Sequence, residues 1–283
     1  MKKSETNMDP GLNSPPGQRT EGSGVRAGMV ILAGAGPGAA DLITLKLQKK
    51  IADADVIITD RLVNPEIISA HAKKNVVVVM AGKQGYNNNS YTQEEINQLI
   101  IGHALAGKKV VRLKGGDVAF FSNVLDELMA LNEQGIPFEI IPGITAASGA
   151  SAYTGIPLTA RGFAQGVQFI SFNPGSELPV EKWKALAATD DTLVFYMAGK
   201  NATSLIESLL LYSRPPGTPI AVIEQATTPH QQVYISTLED SKKDFPGKTF
   251  SSPALIIVGE VVNLHREFNW FTSSSPGTVF REL

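Results

Sequence analysis

The chain has 283 residues, of which 43% are hydrophobic and 18% charged, and its formal net charge is −2; these values are typical of a globular enzyme with one or two domains. The absence of cysteine excludes disulfides, thiolate metal ligands and a cysteine nucleophile, and suits a reducing, cytoplasmic location. The near-neutral charge gives no overall attraction to nucleic acid or to an anionic membrane, and no run approaches the ~20 apolar residues that span a bilayer.

Both ends of the chain are polar. Residues 1–27 are rich in glycine, serine and proline, lack the apolar segment of a secretory signal, and are expected to be disordered. Residues 266–283 are interpreted as a second tail. Its last twelve residues resemble the first tail in composition, whereas Phe268, Trp270 and Phe271 could pack locally.

The first half of the chain alternates short apolar runs with helical patterns. The predicted strands are 29–33, 55–59, 76–80, 109–113 and 138–141. Thr92 and Glu95 have the spacing of a capping box, and Asp41 is placed to cap an earlier helix. This alternation predicts a parallel sheet within an α/β domain of residues 28–142.

The second half has shorter connections between its apolar runs. The predicted strands are 167–171, 192–197, 218–224, 232–237 and 254–261. Because several of them follow one another without an intervening helix, the pattern predicts a second α/β domain with a mixed sheet, in residues 143–265. The boundary is placed near Pro142 and Gly143.

Turns follow the five predicted strands of the first domain, and four of them are rich in glycine. They are residues 34–38, 60–63, 82–85, 114–117 and 142–145. Ligands of an open α/β sheet bind beyond the carboxyl ends of the strands, so these turns should converge on one site.

Other nucleotide and metal patterns fit poorly. Gly102 to Lys108 has the spacing of a phosphate-binding loop, but Lys109 follows where serine or threonine is needed, and the segment precedes a strand. The turn at residues 34–38 fails the dinucleotide pattern, because Ala39 occupies the position of its last glycine. The four histidines lack metal-ligand spacing, and no metal is expected.

Ordered motifs along the chain match a known family. They are Gly34-Ala-Gly-Pro-Gly38, Asp60-Arg-Leu-Val63, Gly82-Lys83, Val111-Arg-Leu-Lys-Gly-Gly-Asp117, Pro142-Gly-Ile-Thr-Ala146, Ala152-Tyr-Thr-Gly-Ile-Pro-Leu-Thr159, Tyr196-Met197 and Ser252-Pro-Ala-Leu-Ile-Ile-Val-Gly-Glu260. On these residues the chain, from about Val30 to Leu264, resembles the uroporphyrinogen-III C-methyltransferases, which belong to the tetrapyrrole methylase superfamily.

The resemblance implies two α/β domains with S-adenosylmethionine in the cleft between them, a tetrapyrrole substrate and a homodimer, with S-adenosylhomocysteine as product. It implies Asp60 as a proton acceptor and Lys83 as a proton donor. Residues implied to contact the cofactor are Pro37, Gly115, Gly116, Asp117, Phe120, Thr145, Ala146, Met197 and Ala226.

The implied chemistry agrees with the residue types. An electron-rich pyrrole carbon can attack a sulfonium methyl directly, so the protein mainly has to position the reactants and move protons. The substrate carries many carboxylates, which an acidic chain must meet with local cations. Arg61, Lys83 and Arg161 are the candidates, since arginine binds carboxylates through paired hydrogen bonds.

Departures from the family pattern concentrate where the substrate should lie. After Asp117 the family usually continues Pro-Phe-(Ile/Val)-Phe-Gly-Arg-Gly-Gly-Glu-Glu, whereas this chain places Asn123 at the arginine, and Ala160 replaces a histidine. Two alternatives to uroporphyrinogen III methylation therefore stay open. One is methylation of a later corrin precursor, a ribosomal RNA or the diphthamide precursor; the other is cofactor or tetrapyrrole binding without catalysis.

Overall fold

The computed structural model describes residues 27–81, 91–172, 178–274 and 277–280. Within them the strands are β1 (Val30–Gly34), β2 (Val56–Thr59), β3 (Val77–Met80), β4 (Val110–Lys114), β5 (Phe138–Ile141), β6 (Val167–Ser171), β7 (Thr192–Tyr196), β8 (Pro219–Glu224), β9 (Gln232–Thr237) and β10 (Ala254–Val258). The helices are α1 (Leu45–Asp53), α2 (Pro65–His71), α3 (Gln93–Leu105), α4 (Val124–Glu133), α5 (Ala146–Thr154), α6 (Val180–Ala188), α7 (Ala202–Leu211), α8 (Ser241–Asp244) and α9 (His265–Phe268).

The first sheet is parallel throughout, as predicted, with the strand order β3-β2-β4-β1-β5. Its three inner strands are fully buried, and their side chains alternate between two core clusters on opposite faces. Helix α1 covers one face through Leu47 and Ile51, whereas α4 covers the other through Leu131. Because these helices follow the neighbouring strands β1 and β4, a crevice opens between the two strand ends, where ligands bind in such folds.

The second sheet is mixed, as predicted, with the order β6-β7-β10-β8-β9. Strands β6 and β7 are parallel, and the other pairs are antiparallel. Helix α5 packs into the core of this sheet through Ala147 and Ala150. The division into residues 28–142 and 143–265 stays a prediction; the core clusters of the first sheet extend to Ile141.

Two helix caps were proposed from sequence, and one of them is correct. In α3, Glu95 N–H donates to Thr92 Oγ1 (3.2 Å) and Thr92 N–H donates to Glu95 Oε2 (2.7 Å), which is a capping box. The prediction that Asp41 caps α1 is wrong. Thr44 is the cap and accepts from the N–H of Leu47 (3.1 Å), because residues around Asp41 form a turn before the helix begins.

The described part of the C-terminal segment packs against the second domain. Trp270 Nε1 donates to a carbonyl of α5 at 2.8 Å, and the Gln225 amide donates to the carbonyl of Gly277 at 2.6 Å. Phe280 is buried. The packing of Trp270 agrees with the expectation that these aromatic residues pack locally, whereas the likeness of residues 272–283 to a disordered tail does not hold for Gly277 and Phe280. The expected N-terminal tail lies outside the described residues, apart from residue 27.

Three glycine backbones meet where β1, β4 and β5 end. A Cβ atom at Gly34 would lie 2.5 Å from Gly116 O, and one at Gly143 would lie 2.3 Å from the same atom. The N–H of Gly116 donates to Gly36 O at 2.8 Å, and the N–H of Gly36 donates back to Gly116 O at 3.1 Å. These contacts fix three of the predicted turns against one another.

The Gly143 contact gives a test of this packing. We expect Gly143→Ala to lower the free energy of unfolding by about 3 kcal/mol, because a rigid backbone must move to admit the methyl group. Gly102→Ala is the matched control, since a Cβ there meets nothing within 4 Å. Alanine in that helix should instead stabilise by about 0.5–1 kcal/mol. Equal effects in chemical denaturation would contradict the packing.

Candidate active site

The loop after β1 belongs to the first domain and contacts the second. Pro37 is buried against α5, since a Cβ at Gly149 would lie 2.6 Å from the proline ring. The N–H of Ala39 donates to Thr227 Oγ1 of the second domain at 3.0 Å. Pro37 therefore packs between the two domains, and its turn contacts both of them.

The turn after β4 leaves open space at its glycine. Gly116 has a φ of +69°, and a Cβ there would meet nothing closer than Ala146 N, at 3.7 Å. The Asp117 carboxylate accepts from the N–H of Ala119 at 2.8 Å, which holds the turn. Its remaining acceptor capacity suits a ligand with hydroxyl or ammonium groups.

Tyr196 connects the end of β7 to the start of α5. Its hydroxyl lies 2.6 Å from Thr145 Oγ1 and accepts from the N–H of Ala147 at 3.2 Å. Burial raises the pKa of Tyr196, and the negative charge of Asp117 acts in the same direction, so the phenol stays neutral. Tyr196 was part of a recognised motif, but the sequence did not single it out as a site residue.

Left-handed backbone conformations cluster at this end of the molecule. Of the six non-glycine residues with positive φ in the described parts of the chain, five are Phe121, Asn123, Met197, Gln225 and Thr227. They follow β4, β7 and β8. Such conformations cost free energy and concentrate at functional sites. Met197 is 52% exposed, and Ala226 lies between the two strained residues of its loop.

Aromatic rings line the junction of the domains. Phe120 packs edge-on against Phe169 with the ring centroids 5.4 Å apart, and Phe121 lies 4.9 Å from Tyr196. Phe121, Phe163 and Met197 all remain exposed. Exposed apolar side chains beside a cleft suit a flat, largely apolar ligand.

Asp60 lies directly after β2 and is partly buried. One of its carboxylate oxygens accepts from the N–H of Leu62 at 2.9 Å. Burial raises the pKa of Asp60, while the nearby cations Arg112 and Lys114 oppose that rise. A carboxyl with a raised pKa at the edge of a cleft is suited to accept and release a proton.

The other charged residues predicted for the site lie in different environments. Arg61 reaches across to the second domain, where its guanidinium donates to Ser252 Oγ at 3.0 Å. Arg161 is exposed, next to Ala160, which packs against the second-domain core. Lys83 lies outside the described residues, so its predicted role as proton donor stays untested.

The predicted cofactor residues lie on loops that meet. Gly115, Gly116, Asp117 and Phe120 follow β4, Thr145 and Ala146 begin α5, and Met197 and Ala226 follow β7 and β8. Sequence reasoning missed Tyr196, Ser252 and the strained pair around Ala226. Only Tyr196 and Ser252 had a signal, as members of the recognised motifs.

The Tyr196 contact gives a second test. Tyr196→Phe removes the hydroxyl that joins Thr145 and Ala147, and we expect it to lower the free energy of unfolding by about 1–2 kcal/mol. Tyr212→Phe is the control, because its ring stacks on Trp183, a buried residue of α6. Thermal and denaturant unfolding would measure both; a smaller loss for Tyr196→Phe than for the control would count against the contact.

Curated proteins match most of this chain. The siroheme synthases of Tolumonas auensis and Edwardsiella ictaluri are 43% and 46% identical over 244 residues, which is 86% of this chain but 51% and 52% of those proteins. The chain thus spans about half the length of the curated relatives it matches.

Solved structures match over most of the chain. A uroporphyrin III C-methyl transferase from Thermus thermophilus has a TM-score of 0.71 and 35% identity over 84% of this chain and all of that one. The same enzyme complexed with S-adenyl homocysteine has a TM-score of 0.70 and 34% identity, covering 84% and 94% of the two chains.

A family model supplies the remaining comparison. The model of the tetrapyrrole (corrin/porphyrin) methylases matches residues 29–241, which include both sheets up to β9. Together with the paired α/β sheets and the loops that meet between them, this match establishes that the chain belongs to the tetrapyrrole (corrin/porphyrin) methylase family.

Proposed function

We propose that this chain is an S-adenosylmethionine-dependent methyltransferase that methylates uroporphyrinogen III at two ring carbons to give precorrin-2, the precursor of sirohaem and cobalamin. The observation that carries the proposal is the meeting of the β4 turn, the start of α5 and the loops after β7 and β8 beside Asp60. The resemblance to uroporphyrin III C-methyl transferase over the full length of that enzyme supports it.

The residues at this junction fit the cofactor. The space beside Gly116 admits a ligand close to the backbone, and the Asp117 carboxylate can accept hydrogen bonds from hydroxyl or ammonium groups. Thr145, Ala146, Met197 and the loop at Ala226 would hold the ligand from the other side. When bound, S-adenosylmethionine supplies an electrophilic methyl group on a sulfonium.

The chain's own residues then position the acceptor and handle protons. Phe121 and Phe163 offer exposed apolar surface for a macrocycle and help to exclude water from the reacting atoms. Asp60 accepts the proton that the macrocycle releases from another position after the ring carbon is methylated, and its raised pKa suits that task. Lys83 is proposed as the proton donor by resemblance to the family.

Two arginines are proposed to bind substrate carboxylates. Arg161 is exposed and can pair with a carboxylate without first breaking a contact to the described residues. Arg61 would have to exchange its hydrogen bond to Ser252 for the substrate, since that bond crosses between the domains. Binding of substrate at Arg61 would thus compete with a contact that holds the cleft together.

We further propose that the chain forms a homodimer and works in the cytoplasm. Leu125 and Met129 lie four residues apart on one face of α4, and Phe138 and Ile140 lie two apart on the edge strand β5; all four are exposed. Apolar side chains exposed in this way are typical of a subunit interface. No helix in the described ranges is long and apolar enough to cross a membrane.

The decisive experiment is methyl transfer by the purified chain. We expect labelled S-adenosylmethionine and uroporphyrinogen III to give a dimethylated product, and Asp60→Asn to lower kcat/KM by about 10²–10⁴-fold. Asp53→Asn is the matched control, because Asp53 is exposed and pairs with Lys109 on the surface.

The outcomes separate the competing functions. Tight S-adenosylhomocysteine binding without any transfer would support a binding protein instead, for which the substitution of arginine by Asn123 gives a reason. Transfer only to later corrin precursors would change the substrate but keep the class of reaction. Undiminished transfer by Asp60→Asn would contradict the role assigned to this carboxylate.

A further inference from the structure

Three charged side chains are buried together beneath the candidate site. Arg112 and Lys114 lie two residues apart on β4 and so point to the same face of the sheet. Glu127 of α4 meets both: Arg112 Nε lies 3.1 Å from its Oε1, and Lys114 Nζ lies 2.9 Å from its Oε2. The exposed fractions are 4%, 5% and 1% for Arg112, Lys114 and Glu127.

This ion triad carries an excess positive charge. Its two cations and one anion sum to +1, and burying an uncompensated charge is costly. A triad that served stability alone could be replaced by apolar side chains at little cost. Its position in the middle strand, with one unmatched positive charge, calls for a further anion nearby.

Asp60 is placed to be that anion. Thr59 of β2 is paired in parallel register with Leu113 of β4. The residues that follow them, Asp60 and Lys114, are therefore neighbours. Asp60 also follows Ile58 by two residues, and Ile58 faces the same core cluster that α4 covers. The backbone of Gly115, next to Lys114, lowers the pKa of the Asp60 carboxyl.

The charged groups around Asp60 come from three elements. Arg112 and Lys114 lie on β4 and act on Asp60 electrostatically, and Glu127 on α4 holds both of them. Arg61, on Asp60's own turn, also interacts with its charge while hydrogen-bonding to Ser252. With Asp60 included, the triad becomes a neutral group of four charges.

We propose that Glu127 is a positioning residue that holds Arg112 and Lys114 as the counter-cations of Asp60 and so determines when Asp60 carries its proton. The inference rests on the proposed function, in which Asp60 accepts a proton from the methylated ring. It adds a control of that step by residues that do not touch the substrate.

Electrostatics around the group support the proposal. Burial raises the pKa of Asp60, and the positive charges of Arg112 and Lys114 lower it, so the triad keeps the carboxyl able to ionise. Burial also lowers the pKa of Lys114, and Glu127 opposes that shift. Glu127 thus holds Lys114 in place, while its negative charge offsets part of the positive charge that acts on Asp60.

Substitutions of Lys114 and of Glu127 should shift the pKa of Asp60 in opposite directions. Lys114→Met removes a cation, so the Asp60 carboxylate loses compensation and its pKa rises. Glu127→Gln removes the anion, so both cations act on Asp60 without opposition and its pKa falls. If Lys114 and Glu127 had only packing roles, their substitution would not shift the pKa of Asp60 in opposite directions.

The first readout is the pH dependence of kcat/KM for methyl transfer. The acid limb of this profile reports the ionisation of the group that accepts the proton. We expect the limb to move up by about one pH unit in Lys114→Met and down by about one unit in Glu127→Gln, which is typical for a charge within a few ångströms.

The second readout needs no catalysis. The free energy of unfolding is measured against pH for each background and for its Asp60→Asn counterpart. The pKa of Asp60 is raised in the folded state. Its contribution to the free energy of unfolding is therefore largest below the unfolded-state pKa of about 3.9, and is lost as pH rises through the folded-state pKa. The pH at which this stabilising contribution has disappeared should be higher in Lys114→Met and lower in Glu127→Gln than in the wild type.

Matched controls keep the proposal falsifiable. Lys114→Arg preserves the charge and should leave the Asp60 titration in place. The double variant Lys114→Met/Glu127→Gln removes one charge of each sign, should titrate near the wild type, and serves where a single variant does not fold. Opposite shifts confined to the single variants support the proposal even if methyl transfer to uroporphyrinogen III is absent.

Three results would overturn it. They are shifts of the same sign in both single variants, no shift in either, or a shift in Lys114→Arg as large as that in Lys114→Met. Because the stability readout is independent of turnover, a failure of the proposed function and a failure of this inference give different results.

Discussion

The close approach of three backbones at the ends of β1, β4 and β5 is the constraint on which the candidate site depends. Gly34 and Gly143 approach the carbonyl oxygen of Gly116 so closely that neither could carry a side chain, whereas a Cβ at Gly116 itself would meet nothing closer than 3.7 Å. Parallel pairing of the three strands brings their ends to one edge, and the glycines let the turns close on one another. The space beside Gly116 therefore stays open to a ligand.

The two domains contribute different physical properties to the junction. The first supplies charge: Asp60 lies beside a buried ion triad, and its protonation depends on charges that water does not screen. The second supplies Met197 and the residues on either side of Ala226, which are held in left-handed conformations. Contacts such as Ala39 N–H to Thr227 Oγ1 fix the two halves against each other.

Much of the fold could be predicted from sequence because its signals are local. The buried strands are short apolar runs, and most of their bounds were predicted within one or two residues. Glycine and aspartate in the turns after strands also indicated the first-domain half of the candidate site. The cap of α1 was assigned to Asp41 instead of Thr44, because a preceding turn uses the same residue types as a cap.

The rest of the site depends on tertiary contacts that no local pattern encodes. The hydrogen bond from Arg61 to Ser252 joins residues 191 positions apart, and Tyr196 reaches Thr145 across 51 positions. The pairing of Arg112 and Lys114 with Glu127 likewise requires knowing that α4 covers that face of the sheet. The contacts of Gly277 and Phe280 were missed for the same reason.

The most direct measurement is a crystal structure of the chain with S-adenosylhomocysteine. The account predicts the ligand between the Gly115–Asp117 turn and the loops at Met197 and Ala226, with its sulfur facing the cleft that Asp60 borders. Ligand density elsewhere on the molecule, or a sulfur directed away from Asp60, would contradict it.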